Sequence, residues 1–415
     1  MGAFADRRAG RRTATVGLLI GLLGSFFAAR RSRARSADGR PAGGLDILHL
    51  AFEDHRRPGS GGGGIRTHEI NRRLAANHRV TVVTTRFPGA RRRTEDGVTY
   101  RPLGLPLGYY GSILTYHLCT PFLLLWRRPD LVVEDFAAPS SSTLVPLWTP
   151  QPTIAVVQWL FAAETSRRYR VPFYLAEGWG VRLHRNFVAV SAYMAEEIRA
   201  LNPGACVDVV YAGVDPVRRG GGGPKVRTAG IVYLGRLQAH AKGLDLLLSA
   251  FARLSEDVPD VRLTLAGDGP YRAQLEALAV SLGVAGRVSF PGRVEGDAKW
   301  ELLQRAAVVA VPSRFESFGL VALEALAAGT PVVGFDLPAL REIVTAECGL
   351  LVTPFDVGRF AEALADVLSD PARVEAMGVV ARARADLYSW DTAAAAQEKA
   401  YLAAVERDRG RRRSS

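Results

Sequence analysis

Two glutamates, Glu316 and Glu324, have the residue type and spacing to bind a polyhydroxylated ligand. Residues 314–324 follow an apolar strand-like run and end in good helix formers, so we expect Glu316 to precede a helix and Glu324 to lie inside it. The exposed amides of such a helix start, residues 317–319, can receive a phosphate group. The carboxylates can accept hydrogen bonds from sugar hydroxyls, so a nucleotide-sugar would suit this segment. The alternative is that the two acids only favour the helix dipole and solubility.

Two cations follow another predicted strand. Arg236 lies in Gly235-Arg236-Leu237, directly after that strand, and Lys242 follows in the same loop, just before Gly243. An arginine fork and a lysine point charge that extend from one loop can neutralise a diphosphate. The alternative is that Lys242 is solvated and Arg236 pairs with a nearby carboxylate.

A glycine-rich motif follows the first predicted strand. Gly59-Ser-Gly-Gly-Gly-Gly64 precedes a predicted helix and satisfies G-x-G-x-x-G. Dinucleotide binding also requires an acid at the end of the next strand, whereas that strand ends in Thr84-Thr85-Arg86, which would suit only a ribose phosphate. We therefore interpret Gly62 and Gly63 as positions where a ligand approaches the backbone.

The elements that must position these residues alternate, from Leu45 onward, between short apolar runs and longer amphipathic ones, which predicts parallel sheets covered by helices. Strands are predicted at 45–51, 79–84, 131–134, 153–157, 187–190, 207–211, 230–234, 261–266, 288–290, 308–311, 331–333 and 350–352. We expect an α/β protein of two doubly wound, Rossmann-like domains that face each other across a cleft. Loops at the carboxyl ends of the strands would line that cleft.

The domain boundary is predicted at a stretch rich in glycine and proline, Asp215 to Thr228, which contains four consecutive glycines. A length of 415 residues exceeds the size at which one core stops growing, which agrees with two domains. The predicted segments are a basic extension 1–44, an acceptor-side domain 45–214, a linker 215–228, a donor domain 229–388, a helix 389–405 and a basic tail 406–415. That helix either pads the second domain or crosses back to the first.

The net charge of +12 is concentrated at the two ends of the chain. Residues 1–40 contain nine arginines against Asp6 and Asp38, and residues 405–415 contain five against Glu406 and Asp408, so residues 41–404 carry only +2. A nucleic-acid partner is therefore not expected. The internal basic cluster Arg91–Arg93 is predicted to be a solvated turn.

The three cysteines, Cys119, Cys206 and Cys348, form no C-x-x-C pair, so we expect neither a metal site nor a disulfide framework. A reducing cytoplasm is the natural compartment. Val16–Ala29 is an apolar stretch of 14 residues flanked by arginines. It is equally compatible with a membrane-association segment, a signal-like remnant and a start codon assigned too far upstream.

Five motifs occur in order along the second half: Gly235-Arg236-Leu237 with Lys242-Gly243, Ala266-Gly-Asp-Gly-Pro270, Phe290-Pro-Gly292, Val311-Pro-Ser313 and the segment with both glutamates. Together they resemble the donor domain of the retaining glycosyltransferases of family four. Gly62-Gly63, Val190-Ser191 and Gly213-Val-Asp215 are similar to the first domain and linker of that family. The resemblance covers about residues 45–405 and is specific because the motifs keep their order.

The resemblance implies the GT-B fold, retention of the anomeric configuration and no cofactor or metal. By position, Arg236 and Lys242 would hold the donor diphosphate, Glu316 would contact the transferred sugar, and Glu324 would accept hydrogen bonds from the ribose. Arg236, Lys242 and Glu316 would act in catalysis. The other donor-binding positions implied are Gly235, Val294 near the base, Ser317, Phe318, Gly319 and Leu320.

The acceptor side departs from the family pattern. Many relatives have a histidine after the strand equivalent to 154–157, where this chain has Gln158-Trp159. Glutamine can bind a sugar hydroxyl but cannot act as a base. The leaving phosphate itself would then help to take the acceptor proton, while the cations stabilise its charge. Acceptor-side candidates are Gly62, Gly63, Gln158 and His68, with His117 as a further histidine.

Residues 109–128 form a long apolar and aromatic stretch, which we predict to be a core helix with its lead-in. The alternative is a membrane-docking surface, as in relatives with lipid-linked acceptors. The predicted function is transfer of a sugar, a hexose by resemblance, from a nucleoside-diphosphate sugar to a glycan, lipid-linked or small-molecule acceptor. Synthesis of cell-envelope glycans or glycolipids, in the cytoplasm or at the inner face of the membrane, is the expected context.

Two rival functions use the same residues. The first is a sugar-nucleotide epimerase or hydrolase on the same scaffold. The second is a non-catalytic membrane-associated protein that binds a nucleotide-sugar and is held at anionic lipid by its basic ends.

Overall fold

The computed structural model describes residues 43–137, 144–160, 162, 166, 170, 172–215, 227 and 230–414. The apolar stretch Val16–Ala29 and the predicted linker, apart from Asp215 and Arg227, lie outside the described residues. The described chain divides into two compact units. The N-terminal unit contains the residues up to Val190, Met194–Val210 and those from Ala394 on; the C-terminal unit contains Ser191–Tyr193 and Tyr211–Ala393.

The N-terminal unit is built on one sheet with the strand order β3-β4-β2-β1-β5-β6-β7-β8. Its strands are β1 Asp46–Leu50, β2 Arg79–Thr85, β3 Arg93–Glu95, β4 Val98–Leu103, β5 Leu131–Phe136, β6 Thr153–Val157, β7 Asn186–Ala189 and β8 Cys206–Val209. Its helices are α1 Gly62–Leu74, α2 Gly108–Trp126, α3 Phe173–Leu183 and α4 Ala192–Leu201, with a 3-10 turn at Val145–Leu147; the first two residues of α4 group with the C-terminal unit. All neighbouring strands are parallel except β3 and β4.

The predicted strands of this unit are present. The central ones are apolar runs buried on both faces, whereas β8 at the edge of the sheet is only half-buried. The β3–β4 hairpin was not predicted, since β3 has three polar residues and no apolar pattern. A signal for it was present: Asp96 and Gly97 between the strands have φ values of 47° and 79°, the turn that an Asp-Gly pair favours. The prediction of a solvated turn at 91–93 is wrong for Arg93, which lies in β3 and pairs with buried Asp54 at 2.8 Å.

The C-terminal unit contains a fully parallel sheet with the order β11-β10-β9-β12-β13-β14. Its strands are β9 Ile231–Leu234, β10 Leu263–Ala266, β11 Val288–Gly292, β12 Val308–Val311, β13 Val332–Phe335 and β14 Gly349–Val352. Its helices are α5 Ala239–Lys242, α6 Leu244–Asp257, α7 Arg272–Ser281, α8 Gly296–Arg305, α9 Leu320–Ala327, α10 Pro338–Arg341, α11 Val357–Ser369 and α12 Pro371–Ala385, with a 3-10 turn at Ala285–Arg287. Every strand predicted here is present.

The last helix, α13, runs from Trp390 to Ser414. From Ala394 on it belongs to the N-terminal unit, where Tyr401 is fully buried and Gln397 accepts a 2.8 Å hydrogen bond from Arg66. Residues 406–414, predicted from composition to be a basic tail, continue this helix.

Helix α2 has a buried face and an exposed apolar face. Tyr116, Cys119 and Leu123 pack into the core, as the predicted core helix requires. Leu118 and Phe122, on the opposite face, are 54% and 55% exposed. Of the helices that the structure describes, none combines the length and apolar character needed to cross a bilayer.

Candidate functional site

The central feature of the C-terminal unit is the point where its strand order reverses. β9 is hydrogen-bonded to β10 on one side and to β12 on the other, so the chain moves outward from β9 in both directions. In parallel sheets a ligand crevice forms at such a point, outside the carboxyl ends of the strands. The loop after β9 carries Arg236 and Lys242, and the loop after β12 carries Glu316. Sequence motifs 74 residues apart are therefore brought to one edge of the sheet.

Lys242 and Glu316 are in direct contact. The Nζ atom of Lys242 lies 2.6 Å from Oε1 of Glu316, and the same oxygen accepts a 2.8 Å hydrogen bond from the Ser313 hydroxyl. The two side chains are 27% and 13% exposed, so both are largely buried yet reach solvent. A hydroxyl of a bound sugar could approach this carboxylate while the ammonium faces a phosphate.

The two loops are fixed to each other by a second ion pair. Arg314 forms two hydrogen bonds, of 2.8 and 2.7 Å, with the carboxylate of Asp245, and its backbone N–H donates to the carbonyl of Ala241. Burial alone raises the pKa of Asp245, but Arg314 outweighs it and holds that pKa below its ordinary value. Gly243, at φ 62°, permits the close approach, because a Cβ there would overlap the carbonyl oxygen of Pro312. Lys242 and Glu316 are therefore held in one geometry.

Glu324 lies inside α9, as predicted, and only 11% of its side chain is exposed. Its Oε1 accepts a 2.9 Å hydrogen bond from Nζ of Lys299 on α8, and that ammonium also lies 4.7 Å from the centre of the Trp300 ring. Sequence reasoning missed Lys299. No local pattern marks it, since it is 25 residues from its partner and on another helix.

The remaining donor-side candidates lie at the same edge of the sheet. Gly235 adopts φ 147° and Gly267 adopts φ 156°, and a Cβ on Gly267 would overlap the Gly235 carbonyl, so the loops after β9 and β10 pack backbone to backbone. The side chain of Arg236 is exposed, and among the described residues its guanidinium has no hydrogen-bonding partner. Val294 is half-buried in the loop between β11 and α8.

The start of α9 provides backbone groups. Gly319, the residue before the helix, has φ 99°, and its Cα faces the Leu340 side chain, where a Cβ would come within 2.6 Å. Phe318 is buried, with its ring 6.0 Å from that of Tyr211, so its side chain is structural and only its backbone can meet a ligand. Ser317 and Leu320 flank these two positions at the helix start, where amides are free of intrahelical partners.

In the N-terminal unit, Gln158 is placed by the glycine-rich segment. A Cβ at Gly63 would lie 2.8 Å from Oε1 of Gln158, so a larger residue at this position would displace the Gln158 amide. Nε2 of Gln158 is 3.4 Å from the Thr67 hydroxyl, which donates a 2.8 Å hydrogen bond to buried Asp135. Burial raises the pKa of Asp135, but His49, which is 3.0 Å away, and Thr67 lower it below its ordinary value. Gly62 begins α1 next to this network.

His68 belongs to a different cluster. Its Nδ1 lies 2.7 Å from the Tyr100 hydroxyl, and its ring stacks on His55 with 4.0 Å between centroids. His55, His68 and Glu95 place potential metal-ligand atoms within 4.8 Å of one another. Arg93 and Arg56 already donate to Glu95 and bring its pKa to about 2 despite its burial, and stacked rings do not direct their nitrogens to one point. The cluster is therefore best described as an ion-pair network.

The C-terminal site can perform one kind of chemistry particularly well. Fixed cations at a strand switch point stabilise negative charge that develops on a leaving phosphate, and they do so without reorganising. The carboxylates of Glu316 and Glu324 add acceptors for hydroxyl groups on either side. Each carboxylate forms an ion pair with a lysine, and the two do not pair with each other.

Two α/β units, each built on a mostly parallel sheet, are the architecture of the GT-B fold. Sucrose-phosphate synthase from Thermosynechococcus elongatus has the same architecture, with a TM-score of 0.72 and 20% identity over 86% of this chain and 98% of that one. The structure of Anabaena HepE in complex with UDP-glucose gives a TM-score of 0.65, with 19% identity over 86% of this chain and 99% of that one. The chain shares their fold.

The family follows from the sequence matches. Residues 221–384 match the family described as Glycosyl transferases group 1, and residues 60–218 match Glycosyltransferase Family 4. The chain belongs to the group 1 glycosyltransferases. Glycogen synthase of Mycobacterium tuberculosis is 36% identical over 239 residues, or 56% of this chain and 58% of the relative, so the chain spans less than two thirds of that relative.

Proposed function

We propose that this protein is a retaining glycosyltransferase that transfers a sugar from a nucleoside-diphosphate sugar to an acceptor hydroxyl. The observation that carries the proposal is the Lys242–Glu316 pair, 2.6 Å apart at the strand switch point, with Glu324 on the adjacent helix. A bound donor would place its diphosphate at Lys242 and Arg236, its transferred sugar at Glu316 and its ribose at Glu324. The carboxylate oxygens of both glutamates can accept hydrogen bonds from hydroxyl groups of the donor.

A uridine diphosphate sugar is the donor class with the best support. Anabaena HepE, which shares the fold, is described in complex with UDP-glucose. The loop at Val294 would then contact the base, and the half-buried position of this residue suits a planar ring. The acceptor is proposed only as a hydroxyl-bearing glycan, lipid-linked or small molecule.

The proposed reaction breaks the bond between the anomeric carbon and the diphosphate oxygen. The diphosphate leaves with the electron pair, and Lys242 and Arg236 neutralise its charge as it forms. The acceptor oxygen bonds to the same face of the sugar, and its proton passes to an oxygen of the leaving phosphate. Gln158, which cannot take a proton, orients hydroxyl groups, and no metal or cofactor takes part in this scheme.

The test begins with a thermal-shift screen of nucleoside-diphosphate sugars, since a donor at 100 times its dissociation constant should stabilise the protein by about 2.7 kcal/mol. The stabilising donor is then incubated with a panel of alcohol, sugar and lipid acceptors. Proton NMR of the product gives its anomeric configuration. A product of inverted configuration would refute the retaining mechanism.

The two rival functions give different results in the same assay. Free sugar or an epimerised nucleotide-sugar without acceptor would indicate a hydrolase or epimerase. Binding of the donor with neither cleavage nor transfer across the whole acceptor panel would indicate a non-catalytic binding protein. Glycosyl transfer that is lost in Lys242→Ala, while the protein remains folded, would exclude both.

Peripheral membrane association is proposed from helix α2. Leu114, Leu118 and Phe122 are each at least 54% exposed along one face, and exposed Arg128 lies just beyond the helix. An apolar face beside a cationic residue suits the interface of an anionic bilayer. Replacing Leu118 and Phe122 with serine should reduce co-sedimentation with anionic vesicles, whereas Val280→Ser, at an equally exposed site in the C-terminal unit, should not.

A further inference from the structure

A polar cavity lies in the N-terminal unit. Its volume is about 220 Å³, and its lining includes Thr153 and Asn186, the first residues of β6 and β7. It therefore opens at the amino ends of these strands. Gln158 follows the carboxyl end of β6, so the cavity and the acceptor-side candidates lie at opposite edges of the sheet.

Three arginines line this cavity: Arg185, just before β7, and Arg407 and Arg411, one turn apart on helix α13. The acid among its lining residues, Asp408, is already paired at 2.8 Å with Arg412. Asp208, outside the lining, forms a 3.7 Å ion pair with Arg407. Three arginines against one acid among the lining residues leave an excess of positive charge, and each guanidinium group carries several N–H donors. Such a lining favours an anion with several acceptor oxygens.

The polar groups of the cavity also include buried atoms that make no hydrogen bond to the described residues. Nε and Nη2 of Arg407 are buried and make no hydrogen bond to any residue that the structure describes. Nη2 forms an ion pair with Oδ2 of Asp208 at 3.7 Å, a distance too long for a hydrogen bond. The Oδ1 atom of Asn186 is likewise buried and accepts no hydrogen bond from the described residues, whereas its Nδ2 donates to Thr153. Buried donors and acceptors of this kind are costly unless a ligand pairs them.

We propose that this cavity binds the phosphate group of a small phosphorylated polyol. The phosphate oxygens would accept from Arg407, Arg411 and Arg185, and a neighbouring hydroxyl would donate to Asn186. A volume of 220 Å³ accommodates a phosphate with a short polyol, but it is below the range typical of larger organic ligands. The site is independent of the donor-binding residues, all of which lie in the C-terminal unit.

The experiment measures binding of glycerol 3-phosphate to the full chain by isothermal titration calorimetry at constant ionic strength. Glycerol and inorganic phosphate serve as probes for the two halves of the ligand. Wild type should bind glycerol 3-phosphate more tightly than phosphate and should not bind glycerol. Arg407→Gln should weaken binding about tenfold or more, because a charge-assisted pair is lost. The matched control Arg359→Gln, at an exposed ion pair of the C-terminal unit, should bind as wild type does.

Phosphate can also bind at the proposed donor site, and Lys242→Ala separates the two. Binding that persists in Lys242→Ala and is lost in Arg407→Gln supports the proposal. Binding that is lost in Lys242→Ala and kept in Arg407→Gln overturns it, as does no binding at 10 mM ligand. If Arg407→Gln fails to fold, the exposed Arg185→Gln substitution tests the same cavity.

The source of the phosphate is decided in a separate arm. Vesicles of phosphatidylcholine with phosphatidic acid present the same phosphate as a lipid headgroup. Competition by glycerol 3-phosphate for these vesicles, lost in Arg407→Gln, would identify a headgroup site. Binding of the soluble ligand without such competition would identify a metabolite site. If neither glycerol 3-phosphate nor Arg407→Gln changes vesicle binding, the vesicles bind to another surface. That result contradicts a lipid headgroup as the ligand of this cavity.

Discussion

Replacing Lys242 or Glu316 with glutamine tests the core of the proposed catalysis, because each change keeps a polar side chain but removes one charge of the pair. The Nζ–Oε1 distance is 2.6 Å, and the side chains are 27% and 13% exposed. Pairs that are fully exposed contribute less than about 1 kcal/mol, and removing one partner of a fully buried pair costs about 3–5 kcal/mol. This intermediate pair should therefore cost about 1–2 kcal/mol in the free energy of unfolding.

The expected loss of activity is larger than the loss of stability. Removing one preorganised group that stabilises developing charge lowers kcat by about 100- to 1000-fold, or about 2.7–4 kcal/mol. Lys242→Gln should do this through the leaving diphosphate and Glu316→Gln through the transferred sugar. Because the two groups are in contact, the double variant should be only slightly less active than the less active of the two single variants.

The assay combines initial rates of nucleoside diphosphate release with urea unfolding monitored by circular dichroism. Arg359→Gln, which removes an exposed ion pair in the same unit, provides the control for charge alone. If kcat in both variants stays within about threefold of wild type while the unfolding free energy changes as expected, the pair stabilises the loops and takes no part in turnover. Losses that multiply in the double variant would contradict the proposed coupling.

Three further results are expected. Lys299→Met should leave the Glu324 carboxylate without its 2.9 Å partner, and KM for the donor should rise about tenfold in steady-state kinetics, whereas a change confined to kcat would contradict a ribose-side role. Gly243→Ala, at φ 62° and against a backbone oxygen, should cost at least about 2 kcal/mol in urea unfolding, while Gly283→Ala, at φ 71° in open space, should cost only about 1 kcal/mol. Burial raises the pKa of Glu177 to about 7, above its unfolded value, so it contributes stability at low pH that is lost as pH rises through 7. Glu177→Gln should therefore match wild type near pH 4 and exceed its unfolding free energy by about 3 kcal/mol at pH 8.5. An equal difference in melting temperature between variant and wild type at both pH values would refute this.

The fold was predictable because its signals are local. A strand buried on both faces needs a short apolar run, and the runs at 231–234 and 308–311 appear where the sequence places them. The alternation of such runs with helices requires parallel sheets, and parallel strands bring their carboxyl-end loops to one edge. The sequence therefore determined that Lys242 and Glu316 would share a site. The β3–β4 hairpin was not predicted, because the three polar residues of β3 show no alternation of apolar and polar side chains.

Only the tertiary structure decided how the long side chains pair. Lys299 reaches Glu324 because α8 packs against α9, and no spacing in the sequence encodes that contact. The same holds for Gln158, whose orientation depends on the space that Gly63 leaves, and for the arginines of α13, which meet β7 only after the helix packs on the N-terminal unit. Local propensity fixes which residues end a strand or begin a helix. Contacts between distant side chains depend on how the elements pack, and that is settled by burial summed over the whole unit.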